Sequence, residues 1–241
     1  MTLLVVKSIP LSRDTVRAWK STNQVTFLRR SRNGEIPHTI ARRYDAILNL
    51  GNVQLTVGGS GHRIYNSPNS IRAVSTAPAL RRTLGDTDLG VIPPYEFDGP
   101  HWHKHSGFGG EGKTFHEDVI PTLCHRMRGD VQQHVEGMEY RIISVGERIV
   151  QASRKDDSYV DTRTGRRRFN YTWVGVEGIR RGGFIPTIKA ATHAIPNGER
   201  TIIGWDVIYD GEKPWIIEAN TSPGVNEATA ARISSAIRGL D

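Results

Sequence analysis

The stretch GWDVIYDGEKPWIIEANTSPG, residues 204–224, constrains the chain more tightly than any other. Two apolar runs flank a DGEKP connector, which reads as two strands joined by a turn. Acidic and amide residues interrupt both runs. Side chains two apart share a face of a strand, so Glu218 and Asn220 are expected to point one way and Trp215, Ile217 and Ala219 the other. Asp206 lies six residues before Glu212 and Glu218 six after it, so a hairpin centred on the connector sets the two carboxylates opposite one another. Opposed Cβ atoms in an antiparallel pair are about 5 Å apart, where two like charges are destabilising unless a cation intervenes. Two carboxylates and an amide oxygen are hard donors that suit Mg2+. The alternative is that Asp206 and Glu218 pair with Arg or Lys from a basic loop elsewhere in the chain.

The 241 residues suffice for one large domain or for two small lobes sharing a cleft. With 37% hydrophobic and 24% charged residues, an ordered fold is expected. No apolar stretch approaches the roughly 20 residues of a membrane helix, and the start, MTLLVVKSIPLSRD, reads as an opening strand and not a secretory signal. Cytoplasm is the default expectation, and the lone Cys124 agrees, since one cysteine builds no disulfide framework. A net charge of +7 favours acidic partners: nucleotide phosphates, an acidic protein segment or nucleic acid. Charge alone does not choose among them.

Residues 1–65 alternate short apolar runs (LLVV, QVTFL, YDAILNLG, VQLTV) with basic or Gly-rich connectors, which predicts a small α/β lobe with weak helical patterns. Ser67 and Pro68 form a helix start, with Ile71 and Val74 on one face, and Pro78 separates a second short helix over 78–84. A strand ending at Trp102–Lys104 precedes a glycine-rich loop; residues 117–129 are expected to be helical. DVQQHV, EYRIISVG and ERIVQASRK read as strands, residues 156–168 as a polar basic loop, TIIGWDVIYD and PWIIEAN as strands. In the last helix Ala230, Ile233, Ile237 and Leu240 recur at helical spacing. Trp173 and Trp205 are expected in the core. HWHKH is expected to face solvent and not to bind zinc, which requires a tight three-ligand geometry.

The loop HKHSGFGGEGK can turn backbone N–H groups toward phosphate oxygens, because its four glycines permit close approach, and Lys104 can add a point charge. It lacks the spacing of a Walker A motif. A flexible surface loop is the alternative reading.

Taken together, these stretches resemble the ATP-grasp ligases, most closely the branch with the ribosomal-protein glutamate ligase and the lysine-biosynthesis ligases, from about Asn66 to Gly224. The resemblance implies an α/β (α+β) ATP-grasp fold of two lobes gripping ATP, with a reduced N-terminal lobe over 1–65. The ATP-grasp domain would span 66–241, divided into a nucleotide-gripping lobe (66–134) and a metal-binding lobe (135–241). It implies that Asp206, Glu218 and Asn220, twelve and two residues apart, are metal ligands for Mg2+ or Mn2+. Lys104, Ser106, Gly107, Gly109, Gly110 and Gly112 resemble the phosphate-gripping lysine and flap, with His105 where the family usually has proline. VQQHVEGMEYRI is similar to the segment lining the adenine pocket, so Gln132, Gln133, His134 and Val135 would meet the adenine and Glu139 the ribose. Arg141 and Arg154 resemble the cations over the transferred phosphate, and Asn170 an asparagine near the metals. One departure stands out: NSPNSIRAVSTAPALRRTL has Ala77 where a lysine is expected, with Arg81 and Arg82 one turn on.

The implied activity is ATP-dependent ligation of a carboxylate to an amine through an acyl phosphate. Basic residues at 163–168 and 180–181 suggest an acidic peptide or protein as substrate. Two other classes remain open: a kinase that keeps the fold and makes no amide, and a basic nucleic-acid-binding protein whose carboxylates are structural.

Overall fold

The opening run LLVV lies at the centre of a parallel sheet. The computed structural model describes residues 1–7, 11–29, 34–85, 99–104, 113–117, 130–161 and 166–240. β1 (Thr2–Lys7) leads through α1 (Arg13–Thr22) to β2 (Gln24–Arg29), which returns parallel to it. After β3 (Glu35–Ile36) and α2 (His38–Ala41) come β4 (Ala46–Leu50), β5 (Thr56–Val57) and β6 (Ile64–Tyr65), giving a sheet of order β2-β1-β4-β6 with β3 and β5 paired separately. Leu3 and Val5 pack on Ala18 and Trp19, whereas Leu4 and Val6 pack on Ile36, Ala41, Ile47 and Leu55. A strand covered on both faces needs a continuous apolar run, which is what LLVV provides. Helix α1 is stronger than its sequence suggests. Ser12 caps it by accepting from the Thr15 N–H at 3.1 Å, and Thr15, Ala18 and Trp19 suffice to bury one face.

The two helices expected after Asn66 form as α3 (Pro68–Val74) and α4 (Ala77–Leu84), capped by Ser67 and Thr76. A small antiparallel sheet of order β8-β7-β9 follows, from β7 (His101–Lys104), β8 (Lys113–His116) and β9 (Asp130–Gln133). Apart from Glu117, the helix expected at 117–129 lies outside the described residues. HWHKH departs from expectation. β7 is central in its sheet, so His101 and His103 are buried, and His101 stacks on His116 of β8 with centroids 5.0 Å apart. Among the described residues, no group of three or more His, Cys, Asp or Glu is placed to hold a metal.

The largest sheet is antiparallel: β10 (Met138–Val145), β11 (Arg148–Asp161), β12 (Arg166–Trp173), β13 (Ile202–Tyr209) and β14 (Pro214–Asn220), in the order β12-β11-β10-β13-β14. The loop expected at 156–168 is largely strand. β11 continues to Asp161 and pairs with β12 from Ser158↔Phe169 to Asp161↔Arg166, while 162–165 lie outside the described residues. An outer hairpin needs little apolar sequence, which is why its pattern reads as loop. Helix α5 (Phe184–Ala194), absent from the sequence expectation, covers one face through Phe184, Ile188 and Ala191, packed with Trp205, Val207 and Ile216. Among the described residues the other face is covered at one end, where Ile143, Val145 and Ile202 meet Leu3, Val5 and the last helix, α6 (Glu227–Arg238), through Ile233 and Ile237. Leu240 lies beyond that helix, exposed. Trp205 is buried as expected, but Trp173 is 57% exposed because β12 is the outer strand. No helix of the described residues is long and apolar enough to cross a membrane.

Asn66 stitches these parts together. It is fully buried at φ 58°, accepts from the Ile202 N–H at 2.6 Å, and donates to the carbonyls of Ile202 at 3.2 Å and Thr221 at 2.9 Å. It thereby joins the start of α3 to the first residue of β13 and to the residue that follows Asn220. Asn66→Ala strands an N–H and the Thr221 carbonyl and adds a left-handed-backbone cost, for a loss of about 3 kcal/mol or more. Asn66→Gly relieves the backbone part and should recover about 1 kcal/mol of that. Urea denaturation midpoints of the two variants check this, and equal midpoints would remove the backbone argument.

The DGEKP connector is held by Asp210, whose carboxylate accepts from the backbone N–H groups of Glu212 and Lys213, both at 2.8 Å, and from Trp215 Nε1 at 2.6 Å. The Lys213 backbone bond, then the Trp215 bond and the Glu212 bond, lower its pKa to about 2. A depressed folded pKa stabilises the fold above the unfolded carboxyl value and loses that contribution as pH falls through the folded one. The melting temperature of the native chain should therefore exceed that of Asp210→Asn at pH 6, with the gap narrowing between about pH 4 and pH 2. A gap independent of pH would contradict it.

Candidate active site

One straight row of residues crosses the open face of the large sheet. Trp173 pairs with Ser153, Ser153 with Arg141, Arg141 with Asp206, and Asp206 with Glu218, one residue from each of the five strands. The two carboxylates are opposed, as the hairpin spacing predicts, but by a route the sequence does not reveal. Near the turn, Tyr209 faces Pro214 and Val207 faces Ile216. A bulge at Ile217 then shifts the register so that Asp206 meets Glu218. An extra residue in one strand exchanges the faces beyond it. Ile216 and Ala219 can therefore both be buried while Glu218 lies on the open side. This corrects the strict alternation expected from the sequence: Trp215 shares the face of Glu218 and Asn220, opposite Ala219.

Beyond the bulge Asn220 stands opposite Gly204. Its Oδ1 accepts from the Ser222 N–H at 2.8 Å, which fixes the amide at the strand end. A Cβ at Gly204 would lie 2.9 Å from Pro223 Cβ, closer than side chains tolerate, so the glycine lets the Ser-Pro-Gly turn fold back against β13.

Arg141 supplies the nearest positive charge. Its Nη2 donates to Asp206 Oδ2 at 2.7 Å and its Nε donates to Oδ1, a bidentate clamp. Burial opposes the charge on Arg141, but the charge and hydrogen bonds of Asp206, with a smaller contribution from Glu218, hold its pKa above the ordinary value. The same guanidinium lies 5.7 Å from the Tyr171 ring centroid. Burial pushes the Tyr171 phenol up, against the opposing pull of Arg141, and the Asp206 charge adds to the rise. Glu218 makes no hydrogen bond or ion pair among the described residues. Asp206, Glu218 and Arg141 thus sum to one negative charge, with oxygen donors from Asp206, Glu218 and Asn220 on one side of the sheet. This donor set fits a hard divalent cation. The cation found on Asp206 comes from β10 and not from the basic loop of the alternative reading.

The next row holds Glu139, which forms a salt bridge with Lys155, and Lys155 stands opposite Tyr171. Arg154 is not brought to Arg141. It pairs with Tyr140, whose ring packs on Phe184 on the covered side, and its Nε donates to Asp156 at 3.0 Å. Asn170 alternates with Tyr171 on β12 and so lies on the opposite side, exposed. Lys155 is the cation on the carboxylate side that sequence reading missed. Only the β10–β11 register distinguishes it from its neighbour.

The remaining residues belong to the small sheet and the segment after it. β7 sets Lys104 opposite Lys113 and Asp130, and Trp102 opposite Phe115 and Gln132. Ser106, Gly107, Gly109, Gly110 and Gly112 lie outside the described residues. Gln132 is buried, Gln133 Oε1 is buried without a hydrogen-bond partner, and the His134 N–H donates to the Pro100 carbonyl at 2.9 Å, with Val135 following toward β10. Trp102 Nε1 donates to His134 Nδ1 at 3.1 Å, and Phe115 packs edge-on against the same imidazole. This aromatic group was not read from the sequence. Ala77 opens α4. One turn on, Arg81 Nη1 donates to the Val131 carbonyl at 2.8 Å, so Arg81 is the α4 cation that reaches this sheet, while Arg82 is exposed.

The chain matches no protein-family model and no curated protein. Its fold, however, matches solved structures over nearly its whole length. The D-alanine–D-alanine ligase from Bacillus anthracis is similar at TM-score 0.61 and 10% identity, covering 100% of this chain and 99% of the other. A RimK domain ATP-grasp protein from Sphaerobacter thermophilus is similar at TM-score 0.61 and 14% identity, covering 98% and 100%. The ATP-grasp ligase PsnB, complexed with minimal precursor, Mg and ADP, is similar at TM-score 0.59 and 12% identity, covering 99% and 97%. At such identities the likeness is one of architecture, and it agrees with the mixed α/β arrangement of parallel and antiparallel sheets described above: the chain has the ATP-grasp fold.

Proposed function

We propose that the chain is an ATP- and Mg2+-dependent ligase that joins a carboxylate to an amine through an acyl phosphate. The observation that carries this reading is the Glu218 carboxylate, without an ion pair among the described residues and directly opposite Asp206, with Asn220 beside it and Arg141 clamped on Asp206. Two opposed carboxylates with one shared counter-charge are costly in a purely structural role, and they are well suited to a site that takes up a cation with its ligand. The shared fold with ATP-grasp ligases and the Mg and ADP bound in the PsnB complex support the choice of nucleotide and metal.

In this proposal Asp206, Glu218 and Asn220 hold Mg2+, or Mn2+, which when bound neutralises charge on the phosphates. Lys104 and the glycine loop 106–112 hold the phosphate oxygens. Backbone groups at Gln132–Val135 meet the adenine, and Glu139 the ribose. A substrate carboxylate oxygen attacks the γ-phosphorus and ADP leaves. The amine then attacks the acyl carbon, loses a proton and expels phosphate. Arg141 orients the carboxylate and balances the oxyanion, and Lys155 takes the second cationic role that the sequence assigned to Arg154. Asn170, on the other side of β12, takes no part.

Calorimetric titration with ATP, with and without Mg2+, tests the reading. The native chain should bind ATP more tightly with Mg2+, and Glu218→Ala should lose at least about tenfold, or about 1.4 kcal/mol, of that metal-dependent affinity. Equal binding by both proteins with and without the metal would remove Glu218 from a metal role. Absence of ATP binding would remove the nucleotide reading itself. Phosphorylated product without an amide, in the presence of amine, would identify a kinase instead.

A further inference from the structure

The open face of the large sheet does not end at Arg141. On β12, Phe169, Tyr171 and Trp173 recur at every second residue, 39%, 42% and 57% exposed. Each lies beside a cation. Lys155 Nζ is 3.8 Å from the Phe169 centroid, Arg141 Cζ 5.7 Å from that of Tyr171, and Arg232 Cζ, from α6, 3.8 Å from that of Trp173. Exposed aromatics in regular array are uncommon on a surface with no partner, and Trp, Tyr and Arg are the side chains that anchor interfaces. Lys155 and Arg141 are paired with Glu139 and Asp206, but Arg232 makes no ion pair among the described residues.

Two further facts narrow the occupant. Among the described residues β12 pairs on one side only, with β11, so its other side offers main-chain N–H and C=O groups to an added strand. An extended peptide rises about 3.3 Å per residue, as β12 does, so its alternate side chains fall in phase with the three rings. The chain carries a net charge of +7 and each ring of the ladder lies beside a cation, Lys155, Arg141 or Arg232, so charge complementarity favours an acidic chain. We infer that the free edge of β12, with its Phe169–Tyr171–Trp173 ladder and the unpaired Arg232, is a docking site for an extended acidic polypeptide. The carboxylates of the polypeptide face the ladder, and one is taken by the Arg232 fork.

Strands lie about 4.8 Å apart, so a strand added to β12 runs roughly 14 Å from β10. A glutamate side chain does not span that distance. The docked segment therefore holds the chain in place, and the reacting residue lies outside it. In this respect the inference rests on the ligase proposal, because the docked polypeptide is that enzyme's substrate. The docking itself requires no nucleotide.

Fluorescence anisotropy with the full chain and no nucleotide tests it, using a labelled peptide of alternating Glu and Val, about ten residues long to span the strand. Binding should weaken at least about tenfold in Trp173→Ala, in Arg232→Glu, when Gln replaces Glu in the peptide, and when alternate peptide nitrogens are methylated. Circular dichroism and calorimetric ATP binding should be unchanged in both variants, neither residue belonging to the proposed catalytic site. The inference is overturned if the native chain does not bind the peptide, if both variants bind it as well as the native chain does, or if the methylated peptide binds equally while single-stranded oligothymidine displaces it, which would make the ladder a nucleic-acid platform. Peptide binding without ATP binding would sink the ligase proposal and leave the docking site standing. ATP binding without peptide binding would do the reverse.

Discussion

Two carboxylates directly across an antiparallel pair repel each other, and the arrangement around Asp206 and Glu218 follows from how that repulsion is managed. Arg141, in register with Asp206 on the neighbouring strand, satisfies both of its oxygens and leaves Glu218 without a partner. Only one of the two charges is balanced within the described residues. Removing Arg141 would leave two like charges at about 5 Å. One negative charge is thus left over on this face of the sheet, among the described residues.

Backbone devices hold that pair in place. The bulge at Ile217 turns Glu218 out while keeping Ile216 and Ala219 in the core. Gly204 admits Pro223, so the turn after Asn220 folds back, and Asn66 ties the residue after Asn220 to the start of β13. At the other end Asp210 fastens the connector. The covered face, with Trp205, Val207 and Ile216 against α5, gives these devices a rigid base. Precision on the open face depends on packing on the closed one.

The open face also joins two kinds of chemistry. Arg141 belongs to both, through its clamp on Asp206 and its place beside the Tyr171 ring. From there cations and rings alternate toward β12, which among the described residues pairs on one side only. Among the described residues, a sheet covered on one side and at one end of the other leaves this strip open, from the carboxylates to the edge.

Much was legible in the sequence because it depends on neighbours along the chain. The hairpin, its turn, the capped helices after Asn66 and the buried LLVV strand all follow from local spacing, and the order of these elements resembles the ATP-grasp architecture that the fold has. What the sequence left undecided depends on which strands lie side by side. The bulge at Ile217 changes the faces of Trp215 and Glu218 relative to each other and leaves no mark in composition. The β10–β11 register puts Lys155, and not Arg154, on the side of Arg141. The outer position of β12 exposes Trp173 and made a polar strand read as loop, while the central position of β7 buries His101 and His103. Alternation along a strand is a property of the sequence, but the side that faces solvent is set by lateral pairing with residues far away in the chain. The chain by itself therefore determined the strands and the turn that carry Asp206, Glu218 and Asn220, and the tertiary structure decided which side chains of the neighbouring strands meet them.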